Sequence, residues 1–184
     1  MDAALKEIED FAGKAHGAQR RKYKDEPYIV HPVRVMNICR EYTASQPVLA
    51  AALLHDVLED TPVRKKEIKA FLEGLFNPAE TAETVMLVDW LTDIYTKDAY
   101  PKLNRKKRKV REAERLTKAP AAAQTVKYAD IIDNAGDIAA NDADFAKVFL
   151  RECRQLLKKM DQGDPRLYRR AEETVENCLN SLRR

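Results

Sequence analysis

His55 and Asp56 are neighbours, and Glu59 and Asp60 follow about a turn later, at the end of a run from Pro47 that is otherwise apolar on every side. A helix without a polar face belongs in a core. Ionisable groups carried there cost several kcal/mol unless they are paired or hold a metal, so something cationic is expected beside them. At about 100° per residue, His55 and Asp56 project to adjacent sides of a helix, with Glu59 a turn beyond both and Asp60 a turn beyond Asp56. One helix would thus present an imidazole and three carboxylates to a single pocket, the equipment for binding a divalent cation and for general acid–base chemistry.

A second polar cluster lies further on, where Asp130 and Asn134 are four residues apart on one helical face and Lys127 stands a turn earlier. Alone, Asp130 would read as a structural hydrogen bonder. Its weight comes from company: His31, His55, Asp56 and Asp130 arrive from three separate predicted helices and combine imidazole nitrogen with carboxylate oxygen. Such donors suit Mn²⁺, with Fe²⁺ or Zn²⁺ as alternatives, and do not suit thiolate copper chemistry.

The elements that must carry these residues are helical. Leu5, Ile8, Ala12 and Ala15 predict a helix from Asp2 to His16 that Gly17 ends, with His16 as a partner for its dipole. Residues 18–30 are basic and turn-like, with room for a short β-hairpin, and Pro32 opens a helix to about Tyr42, leaving His31 at a loop-to-helix junction. Further helices are predicted over 47–59, 63–73, 79–94, 102–117, 121–137, 142–160 and 165–182. Thr61-Pro62, Asn77-Pro78 and Asp164-Pro165 read as start signals. Alternating apolar patterns are almost absent, so the predicted class is all-α.

With 184 residues and five glycines the chain reads as a single domain, 1–184. Its balance of 33 basic and 30 acidic residues is too even to argue for nucleic acid. Cys39, Cys153 and Cys178 are odd in number and scattered, which argues against a disulfide framework or zinc knuckle and favours the cytoplasm. The sequence carries no signal-peptide pattern and no apolar stretch of membrane-spanning length. The basic run Lys102–Arg111 reads as a solvated face or as a phosphate-binding one.

Three segments now stand in order: Pro-Tyr-Ile-Val-His-Pro from Pro27 to Pro32, Ala-Leu-Leu-His-Asp-Val-Leu-Glu-Asp-Thr from Ala52 to Thr61, and Lys-Tyr-Ala-Asp-Ile-Ile-Asp-Asn from Lys127 to Asn134. Together they resemble the H…HD…D signature of HD-domain phosphohydrolases. The resemblance is closer to the hydrolase domain of RelA/SpoT-type enzymes, and closer still to the stand-alone small alarmone hydrolases, the metazoan type included. It implies an HD-domain helical bundle that removes pyrophosphate from the 3′ position of (p)ppGpp. The implied Mn²⁺ ligands are His31, His55, Asp56 and Asp130, with Glu59 and Asp60 sharing the roles of general base and acid. Arg21 and Lys22 would flank the base, Lys97 and Arg105 would lie near the phosphates, and Asn134 would bond the nucleoside. The implied partner is a small-molecule nucleotide, with neither membrane nor nucleic acid expected.

The chain departs from the family in two places. Asn134-Ala135-Gly136 stands where Asn-x-Arg is usual, and Asp133 where an aromatic residue or histidine is common. A lost guanidinium and an added carboxylate open (p)ppApp or the 2′-phosphate of NADPH as alternative substrates. A reading from another class is a catalytically silent nucleotide- or nucleic-acid-binding protein that uses Lys102–Arg111. Retention of His31, His55, Asp56, Glu59, Asp60 and Asp130 argues against it.

Overall fold

Gly17, at φ +55°, closes α1 (Ala3–His16) in the left-handed conformation that a Cβ disfavours, and its N–H reaches Gly13 O at 3.0 Å. The computed structural model describes residues 3–183, so Asp2, the expected start of this helix, lies outside the described residues. The chain forms two compact units, Met1–Thr92 and Asp93–Arg184. Among the described residues there are ten helical segments and no named strand, an all-α class as expected.

In the first unit α1 is followed by α2 (Val30–Arg40), α3 (Gln46–Leu54), α4 (Val57–Asp60), α5 (Lys65–Leu72) and α6 (Pro78–Leu91). Every residue of α3 from Pro47 to Leu54 is buried, because α1, α2 and α6 all pack against it. Burial of each of Leu49, Leu53 and Leu54 contributes about 1.5–3 kcal/mol. The helix expected over 47–59 is broken at His55 and Asp56. Asp56 sits at φ −97° and ψ −6°, and its carbonyl accepts the N–H groups of Glu59 at 3.2 Å and Asp60 at 2.9 Å to restart the helix as α4.

Thr61-Pro62 ends α4 rather than starting α5. The Thr61 hydroxyl donates to Val57 O at 2.7 Å and accepts from Val63 N at 3.2 Å. Helix α5 begins later, where Glu67 accepts the Arg64 N–H at 2.9 Å. Asn77 caps α6 as expected, accepting from the N–H groups of Ala79 and Glu80. The expected end at 94 falls at Leu91 because Thr92 turns extended. Between α1 and α2 the turn closes as one antiparallel bridge, Arg20 with Pro27, flanked by Tyr28 N–H to Gln19 O and Arg21 N–H to Glu26 O.

The second unit contains α7 (Arg105–Leu116), α8 (Ala121–Asn141), α9 (Ala143–Leu157) and α10 (Pro165–Ser181), with α8, α9 and α10 packed mutually. The spacing of Leu167, Ala171, Val175 and Leu179 gives α10 one buried stripe. Asn104 accepts the Lys107 N–H at 2.9 Å and so sets the start of α7 at 105 rather than 102. The turn after α9 is strapped to α8: Tyr128 OH donates to Met160 O at 2.6 Å, while the Asp164 N–H donates to Thr125 Oγ1 at 2.9 Å. A Cβ on Gly163 would lie 2.9 Å from Thr125 N, so this close approach requires glycine. Among the described residues no helix is long and apolar enough to cross a membrane.

Candidate active site

The break between α3 and α4 brings His55 and Asp56 to the start of α2, where His31 occupies the first turn. The donor atoms of His31, His55 and Asp56 all lie within 4.8 Å of one another. His55 Nδ1 bonds Ala52 O at 2.7 Å, and because a carbonyl only accepts, Nδ1 carries the hydrogen. Its Nε2 then faces Asp56 Oδ2 at 3.2 Å, and His31 Nε2 stands 3.6 Å from the same oxygen. The imidazoles are 1% and 2% exposed, for His31 and His55 respectively. A nitrogen lone pair set against a carboxylate oxygen in so dry a place is repulsive unless positive charge lies between them. Two nitrogens and a carboxylate converging on one point fit a divalent cation.

Tyr28 holds the carboxylate in place, its OH donating to Asp56 Oδ2 at 2.7 Å. Glu59 and Asp60 are exposed on α4, and Gln19 Nε2 donates to Asp60 Oδ2 at 3.3 Å. Arg21 lies over the Tyr28 ring at 5.7 Å, and Lys22 over Tyr23 at 4.6 Å. Tyr28 and Gln19 were not singled out as functional residues from the sequence. Gln19 meets Asp60 across 41 residues, a separation to which no local periodicity points.

The second unit has its own polar centre. Asp130 is 7% exposed, its Oδ2 accepting Lys127 Nζ at 2.8 Å and its Oδ1 accepting Asn134 Nδ2 at 2.6 Å. Asp130 lines a cavity of about 340 Å³ together with Asp93, Lys109, Lys127, Glu152 and Arg105. Arg105 forks onto Glu152, with 3.1 Å from Nε and 2.7 Å from Nη2, and its guanidinium lies 5.3 Å from the Phe145 ring centre. Lys97 is exposed in the connector ahead of α7. Two cations of the basic run, Arg105 and Lys109, are engaged with acids of the same unit.

Asp93 accepts Lys109 Nζ at 2.8 Å. Burial pushes its carboxyl up, but the charges of Lys127 and Lys109 outweigh that and hold it below its ordinary value of 3.8. A carboxyl depressed in the folded state adds stability above its unfolded pKa, and that contribution disappears as pH falls through the folded value. Denaturant unfolding should therefore show stability falling below about pH 4, with a shallower acid limb in Asp93→Asn.

The HD-domain family matches residues 9–160 of this chain. The human guanosine-3′,5′-bis(diphosphate) 3′-pyrophosphohydrolase MESH1 is 36% identical over 139 residues, covering 74% of this chain and 70% of the human protein. A Synechocystis protein described as a probable guanosine-3′,5′-bis(diphosphate) 3′-pyrophosphohydrolase is 40% identical over 84 residues, 46% of this chain and 10% of its own length. The chain thus spans about a tenth of that relative. Among solved structures, one reported as a metazoan ortholog of SpoT that hydrolyzes ppGpp superposes with a TM-score of 0.74 at 24% identity, over 99% of this chain and 94% of that one. At this identity the likeness speaks to the fold.

Proposed function

This chain belongs to the HD-domain family, and from that premise we propose that it hydrolyses the 3′-pyrophosphate of (p)ppGpp to GDP or GTP and pyrophosphate, in the cytoplasm and with Mn²⁺. The observation that carries the reading is the buried convergence of His31, His55 and Asp56 in a chain that shares over two thirds of its length with relatives named for that activity. His31, His55 and Asp56 would hold the ion, and the third sequence motif adds Asp130 as the fourth ligand. When bound, a divalent ion supplies Lewis acidity toward water and the phosphoryl oxygens.

The remaining work falls to the chain. Tyr28 fixes one oxygen of Asp56 by its hydroxyl hydrogen bond. Of Glu59 and Asp60, one carboxylate takes the proton of the attacking water as the new P–O bond forms, and the other protonates the 3′ oxygen as its bond to phosphorus breaks. Arg21 and Lys22 are assigned to the purine, where a guanidinium or a lysine stem packs over the ring, and Lys97 and Arg105 to the phosphates. Asn134 is assigned to the nucleoside.

The test is incubation of the purified chain and Mn²⁺ with ppGpp, ppApp and NADPH, with products resolved by chromatography. Pyrophosphate released from ppGpp is the expected result. Turnover of ppApp alone, or phosphate released from NADPH alone, would transfer the reading to that substrate, in keeping with Ala135-Gly136 and Asp133 in the third motif. No turnover, together with no bound metal, would leave the silent-binder reading in its place.

A further inference from the structure

The hydrogen bonds behind Asp60 have a defined direction. A carboxylate only accepts, so the Gln19 group 3.3 Å from Asp60 Oδ2 is its NH₂, and Gln19 Oε1 is turned toward His16. His16 Nδ1 lies 2.9 Å from that oxygen and must carry the hydrogen. Its Nε2 is buried and has no hydrogen-bond partner among the described residues. A hydrogen on Nε2 would be a buried donor left unsatisfied, so both ends of the ring favour the same tautomer. The His16 side chain is held firmly, in a residue only 6% exposed and with its ring 4.6 Å from that of Tyr28 at 34°. Tyr28 in turn bonds Asp56.

We infer that His16 is a positioning residue: through Gln19 it orients the Asp60 carboxylate, and its Nδ1–H tautomer is the hinge of that chain. Its role in turnover rests on the reading of Asp60 as an acid or base in hydrolysis; the hydrogen-bond chain does not depend on that reading. Neither histidine capping of α1 nor core filling requires this tautomer, since both would be served by hydrogen on either nitrogen.

The first measurement is ¹⁵N NMR of the His16 imidazole in the full chain, kept free of paramagnetic ions. The expected spectrum has a pyrrole-type Nδ1 and a pyridine-type Nε2 in the parent, with that asymmetry lost in Gln19→Leu. The second is kinetic. His16→Leu and Gln19→Leu should each lower kcat about tenfold, with KM within about twofold, and the double variant should be no worse than either single one. His16→Asn, which returns an N–H near the Nδ1 position, should recover most of the lost rate. An Nε2–H tautomer in the parent would overturn the inference, as would additive losses or an unchanged kcat in correctly folded His16→Leu. If the parent turns over none of the nucleotides, the hydrolase reading fails separately, and the NMR result still decides the chain from His16 to Asp60.

Discussion

His55→Ala should yield a folded protein that carries no stoichiometric divalent ion and hydrolyses nothing above background, a loss of at least about a thousandfold. The reason lies in how His55 is aimed. Its Nδ1–H is committed to Ala52 O, in the last turn of a helix whose own face is wholly buried, so the ring cannot swing away from Asp56. Alanine leaves one imidazole, His31, and one carboxylate, Asp56, too few protein donors in the first unit to hold a labile divalent ion tightly. Elemental analysis after dialysis measures the ion, and thermal unfolding separates its loss from loss of fold. The parent treated with chelator should lose turnover in the same way and regain it with Mn²⁺, whereas His55→Ala should not be rescued by added metal. Retained metal at one equivalent in the variant would remove His55 from the ligand set.

The same residues show what was legible beforehand. The apolar run before His55 had no polar side, and α3 is correspondingly buried all round. The grouping of His31, His55 and Asp56 could be anticipated because donor type and order in the chain are themselves sequence properties. The break at Asp56 could not, because helical periodicity extrapolates straight through it. Its side chain is instead tied by Tyr28, a contact made across 28 residues. Thr61-Pro62 misled for a related reason: the hydroxyl of Thr61 looks back to Val57 O, so a residue suited to opening one helix closes another. Asn77 and Asp164, whose side chains face forward onto free N–H groups, behaved as their types suggest. Tyr28, Gln19 and Glu152 were missed as partners since each acts through a long-range hydrogen bond that no local pattern encodes.

Replacing either carboxylate of α4 by its amide should separate chemistry from metal binding. Glu59→Gln and Asp60→Asn keep side-chain volume, and neither residue belongs to the His31–His55–Asp56 cluster, so the ion content of both variants should equal the parent's. What each variant loses is a site for a proton, and a general acid or base is worth about 10²–10⁴ in rate. That loss should fall on kcat, with KM little changed, because the proton moves only as the phosphorus–oxygen bonds form and break. The pH profile then assigns the roles. Loss of the base abolishes the rise of kcat/KM on the acid side, and loss of the acid abolishes the fall on the alkaline side. Asp60→Asn carries an additional signature, since an amide can turn its own NH₂ toward Gln19 and disturb the orientation of the glutamine that His16 maintains. The His16 imidazole should therefore respond in its NMR spectrum to Asp60→Asn and stay unchanged in Glu59→Gln. A variant of either residue that kept full turnover across the pH range would remove that carboxylate from proton transfer and leave its partner, or water alone, to carry it.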